Sequence, residues 1–207
     1  MVAAAFLIAG AGFARTQSNP AALPARDAHN GLLVAADPYR DAERCKARFG
    51  KKNPFDAGIL AIEVFFRNDN DKAIRVELES IRLLLRPTGA DRQRLAPLPV
   101  EEVADRILDK GKPDPTATRR TIPIPGRGPK KGRGKEWDEL AASLRALAFE
   151  MDVLPPRSTV HGFLFFDLDR RYDWVPVARL YVPDLKFLPE KQPLLFFEVD
   201  LALAGPR

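Results

Sequence analysis

Residues 59–85 read ILAIEVFFRNDNDKAIRVELESIRLLL. Leu60, Ile62, Val64 and Phe66 alternate with Ala61, Glu63, Phe65 and Arg67. A period of two predicts a strand with one buried face. Asn68-Asp69-Asn70-Asp71 then predicts a turn, because Asn and Asp bond their own backbone and tolerate left-handed φ. The Gly and terminal Glu of a calcium loop are missing there, so a hairpin turn is expected. The return strand puts Ile74, Val76 and Leu78 on one face. After Ser80 the apolar set shifts to Ile81, Leu83 and Leu85, which predicts a bulge or corner near Glu79-Ser80.

A second β-rich block, Thr159 to Leu201, contains TVHGFLFFDL, ARLYVP and PLLFFEVDL. Strands are expected over Thr159–Asp167, Arg179–Val182 and Leu195–Leu201. Between the blocks, Val100, Val103, Ile107 and Leu108 follow helical spacing, with Gly111 as the stop. Trp137, Leu140, Ala141, Leu144, Ala148 and Met151 follow it again. Upstream, Asp37 and Pro38 suit the start of a short helix that Gly50 ends.

The 207 residues suffice for one domain with a sizeable core, and the composition (45% hydrophobic, 29% charged) argues against wholesale disorder. Nineteen prolines favour a loop-rich β protein over a helical bundle. Val2 to Ala14 is apolar and uncharged, too short for a membrane-spanning helix of about 20 residues. Its length and the small residues Gly12 and Ala14 suit a signal peptide cleaved after Ala14, although no Lys or Arg precedes the apolar run. The expected organisation is a signal peptide over 1–14, a linker and short helix over 15–57, and a β-sandwich over 58–207 with an insertion at 97–154. Export to the periplasm or the extracellular space follows.

Cys45 is the one cysteine, so no disulfide forms within the chain. Arg44 and Lys46 would activate an exposed thiol, but a lone cysteine is expected to act as a small hydrophobe. His29 falls in the expected tail and His161 in a strand. No His/Cys pair has metal-ligand spacing, so no metal or cofactor is expected.

Arg119 to Lys135 carries seven Lys/Arg and no Asp/Glu; without those seven, the formal charge of +5 becomes −2. Lys130, Lys131, Arg133 and Lys135 are candidate contacts to an anionic surface or an envelope protein. Stacking aromatics are absent from the segment, and an exported protein meets little nucleic acid, which disfavours nucleic-acid binding. Asp167, Asp169, Tyr172 and Trp174 form a second candidate site in DLDRRYDW. Two readings stand beside a binding or accessory module. One is a glycan-acting hydrolase using Asp167, Asp169 and Asp173; the other is a cytosolic nucleic-acid binder using the basic segment.

Leu154-Pro155-Pro156-Arg157-Ser158-Thr159-Val160-His161-Gly162-Phe163-Leu164-Phe165-Phe166 resembles the start of a strand in immunoglobulin-like domains of bacterial secreted proteins and lipoproteins. Val64-Phe65-Phe66-Arg67-Asn68 resembles an earlier strand of the same domains. Pro156-Arg157 replaces their Pro-Gly, the insertion is longer, and no lipid-anchoring cysteine is present. The resemblance implies an all-β, immunoglobulin-like β-sandwich and carries over no catalytic residue. Its expected core joins Leu60/Ile62/Val64/Phe66, Ile74/Val76/Leu78, Leu164/Phe166 and Leu195/Phe197/Val199, with the insertion packed on one edge or end.

Cleavage after Ala14 predicts a mature chain beginning at Arg15 in an exported fraction. Intact-mass analysis of the natively expressed protein checks it, and a retained Met1 in cytosolic protein would refute it.

Overall fold

A computed structural model of the chain describes residues 19–87, 89, 91–109 and 134–205. The expected signal peptide lies outside them. In chain order the regular elements are β1 (Arg26–His29), β2 (Leu32–Tyr39), α1 (Ala42–Phe49), β3 (Ile59–Asn68), β4 (Ile74–Arg75), β5 (Arg82–Leu85) and β6 (Gln93–Leu95). Then follow α2 (Val100–Leu108), α3 (Lys135–Arg145), β7 (Val153–Leu154), β8 (Ser158–Asp167), β9 (Ala178–Val182), β10 (Lys186–Phe187), β11 (Gln192–Pro193) and β12 (Phe197–Asp200). The fold is mostly β, in three antiparallel sheets with strand orders β1-β2-β3-β8, β11-β10-β4-β7 and β12-β9-β5-β6.

β3 is the axis of the first sheet. It pairs along its whole length with β8, from Ile59↔Asp167 to Asn68↔Ser158, and with β2, from Leu32↔Asn68 to Tyr39↔Ala61. Leu60, Ile62, Val64 and Phe66 enter one large core with Val34, Leu164 and Phe166, and with Leu83, Leu180, Val182, Phe197 and Val199 of the third sheet. The alternation read in the sequence therefore marks the face shared by the two larger sheets.

The other face of β3 is buried too. Ile59 and Ala61 join Tyr39, Phe163 and Phe165 beneath Cys45 of α1, Val103 and Ala104 of α2, and Ala141 and Leu144 of α3. Phe65, with Leu33 and Ala35, is covered by Leu23. The two helices of the insertion, α2 and α3, thus lie across a sheet face, which corrects their expected packing on an edge or end.

Of the linker and short helix expected over 15–57, the helix is α1, ended by Gly50, while β1 and β2 occupy part of the stretch expected as linker. β1 and β2 form a hairpin around Asn30 and Gly31, whose φ values of 50° and 69° suit a two-residue turn. Asn70 Nδ2 donates to the Asn30 carbonyl at 3.0 Å, docking this turn on the turn after β3. His29, expected in a tail, ends β1 with its ring stacked on Phe197 at 3.8 Å. Asp37 and Pro38 sit in β2, so they do not start α1; Asp41 caps that helix, accepting from the Arg44 N–H at 2.9 Å. Pro38 pairs with Ile62 where β1 has already ended, a ladder position that tolerates a missing donor.

Three smaller corrections have local causes. A 3-10 turn over Leu78–Ser80 produces the phase slip expected of a bulge. α3 stops at Arg145, short of Ala148 and Met151, because the next residues serve β8 instead. The Phe163 N–H donates to the Leu147 carbonyl at 2.8 Å, and the Phe149 N–H donates to the Phe163 carbonyl at 2.9 Å. Leu195 is 67% exposed and lies outside the core expected for it.

Gly162 lets this segment approach β8. A Cβ there would stand 2.8 Å from the backbone N and Cα of Phe149. Backbone cannot yield as a side-chain tip can, so Gly162→Ala is expected to destabilise by about 1–3 kcal/mol. Urea denaturation of the variant checks it; an unchanged midpoint would refute the close approach.

Candidate functional site

A groove of about 460 Å³ runs along the outer edge of β8. Ala96 to Glu101 form one wall and Ala148 to Glu150 another; Leu78, Glu79 and Phe163 to Phe165 complete it. β8 is the last strand of its sheet, so alternate residues turn their main-chain groups outward. Phe163 is capped as described. The Phe165 carbonyl accepts from the Leu98 N–H at 2.7 Å. By the same alternation the Phe165 N–H faces outward, and no acceptor among the described residues takes it. The groove is therefore mainly apolar, and the buried Phe165 turns a main-chain donor outward beneath its floor. Its rim carries Glu79, Glu101 and Glu150, of which Glu101 is paired with Arg145 at 2.5 Å.

A polar chain crosses the helix-covered face of the same sheet. Asp37 and Glu63 are direct cross-strand partners, an unfavourable pairing of like charges unless each is compensated. Arg44 binds both Asp37 oxygens, at 2.9 and 2.5 Å, and lies 4.0 Å from the centre of the Tyr39 ring. Glu63 accepts from the Tyr39 hydroxyl at 3.2 Å and sits 3.1 Å from His161 Nδ1. Burial, then the Glu63 carboxylate, pushes the Tyr39 hydroxyl up to about 12, so it remains a donor. The hydrogen bond to Asp37 leads in holding the Arg44 guanidinium above its usual range. The chain fixes the His161 ring, which also stacks on Phe65 at 5.4 Å. The sequence reading missed Glu63 and Asp37 as site residues, although each is the lone acid in its strand.

The residues expected to bind are dispersed. Lys130, Lys131 and Arg133 lie outside the described residues. Lys135 opens α3, 3.6 Å from Glu139 and highly exposed. Asp167 is committed to Arg106 at 2.6 Å and also accepts from the Asp169 N–H. The Tyr172 hydroxyl donates to the Phe55 carbonyl at 2.7 Å while its ring stacks on Phe55. Burial raises its ionisation well above the ordinary range. Trp174 lies under Arg171, 4.5 Å from the guanidinium. These contacts tie a connection to the body of the fold. Neither the groove nor a second cavity of about 330 Å³, beside Lys51, Asn53 and Ile107, is lined by any of them.

Among the described residues no cluster of three or more His, Cys, Asp or Glu could hold a metal, and no helix is long and apolar enough to cross a membrane. Comparison with known proteins gives no match to a family model, a curated protein or a solved structure.

Cys45 is buried, and its thiol donates to the Tyr39 carbonyl at 3.3 Å. Burial pushes the thiol up to about 12 despite the Arg44 charge. At neutral pH the folded chain is expected to react with a thiol reagent at least about a hundredfold more slowly than the unfolded chain. Labelling with and without denaturant checks it; equal rates would refute the burial.

Proposed function

We propose that this chain is a non-enzymatic binding module, exported to the cell envelope or beyond, that holds an extended segment of a partner protein along the β8 edge. The observation that carries the reading is an apolar groove along the β8 edge, with the N–H of the buried Phe165 turned outward beneath its floor. Recognition of extended peptides joins a main-chain hydrogen bond, which gives affinity, to apolar recesses that select side chains. The groove volume falls within the range of about 300–1,000 Å³ common to ligand pockets. That is room for a few residues of a partner. Capping at Phe163 confines strand pairing to one short stretch. We take the β layers as an immunoglobulin-like sandwich, a scaffold that presents binding surfaces at its edges and ends. The shared core of the two larger sheets supports this reading. Export rests on the sequence of residues 1–14.

Ala96 lines the groove and is exposed, so Ala96→Trp would fill the space with little demand on the core. Titration of a mixed-sequence nonapeptide pool into the isotope-labelled protein is expected to shift the Phe165 amide resonance in the wild type and to leave it unmoved in the filled variant. An unmoved Phe165 amide in the wild type would overturn the reading.

A further inference from the structure

Building on that groove, we infer that the segment it accepts is basic: an extended peptide whose aliphatic side chain is flanked by lysine or arginine. Glu79 and Glu150 stand on two separate walls, both exposed, and no cation among the described residues pairs with either. The nearest guanidinium in sequence, Arg82, donates instead to the carbonyls of Glu79 and Ile81. Neither Lys nor Arg is among the lining residues. The rim therefore carries two carboxylates unpaired among the described residues, Glu79 and Glu150, beside the compensated Glu101, whereas in the second cavity Glu136 is paired with Lys52.

Such a rim attracts cations and repels a carboxylate or phosphate before any contact forms. The floor adds an independent demand. The Phe165 N–H needs an acceptor, and a peptide carbonyl is a neutral one that brings no negative charge between Glu79 and Glu150. Leu78, Leu98, Phe149 and Phe163 supply the apolar surface for the aliphatic side chain. Neutral backbone, aliphatic centre and cationic flanks together describe one ligand chemistry.

The test uses two synthetic peptides, acetyl-Lys-Val-Leu-Val-Lys-amide and its Glu-flanked counterpart, titrated into the full chain with the Phe165 amide as reporter. The basic peptide is expected to bind more tightly, with the preference shrinking as salt rises. Glu79→Lys together with Glu150→Lys is expected to weaken the basic peptide by about threefold to tenfold, the scale of two exposed ion pairs. The same variant is expected to improve the acidic peptide. Glu79→Gln with Glu150→Gln serves if the reversal disturbs folding, and is expected to abolish the preference. Equal affinity of the wild type for both peptides, each shifting Phe165, would overturn the charge inference and leave the groove reading standing. Failure of both peptides to shift Phe165 would overturn the two together.

Discussion

β3 is buried along both faces, and each face requires its own cover. One side is completed by the strands of the third sheet, the other by three helices and the segment around Leu23. Removing either layer would expose a row of large apolar side chains, each worth about 1.5–3 kcal/mol of burial. This double demand explains why α2 and α3 lie on the sheet. It also explains why the residues before β3 belong to the fold, since β2 supplies one of its two hydrogen-bonding neighbours.

A strand covered on both sides has little room for charge, yet β3 carries Glu63 and its neighbour carries Asp37. The cost is met locally. Arg44 reaches down from α1 to Asp37, while Tyr39 and His161 converge on Glu63. Each acid thus has a partner supplied by a different element, and the polar chain fixes how α1, β2, β3 and β8 sit relative to one another. An aliphatic pair of similar size could pack there as stably, but would not specify that arrangement so narrowly.

The sequence pattern was most legible where a strand faces the shared core. Leu60 to Phe66 and the later Phe197/Val199 pair declare their inward faces by alternation. The second face of β3 was misread as solvent-facing because Glu63 and Arg67 interrupt Ala61 and Phe65, and a covering layer supplied by distant residues leaves no local signal. One local signal is present in the sequence. Asn30-Gly31 between RDAH and LLVAADPY marks a two-residue hairpin. The Ala/Pro-rich stretch before it masked that cue. The end of α3 was illegible for another reason, since helical spacing continues to Met151 while the Phe163 backbone recruits residues 147–149. The groove could not be read at all, because its walls come from four segments far apart in the chain.

The pairing of β3 with β8 has a consequence for how the molecule is made. All of the chain between Asn68 and Ser158, including α2, α3 and the strands β4 to β7 of the other sheets, separates the turn after β3, which joins two sheets and closes no hairpin, from the start of its partner. Closing so long a loop carries an entropic cost before the contact returns any energy, which slows folding. During synthesis β3 emerges long before β8 does. In that interval β2 is its one available neighbour, already joined to β1 through the Asn30-Gly31 turn. The three-stranded unit β1-β2-β3 is thus the piece of sheet that can form first, waiting with one apolar edge open until the last third of the chain arrives.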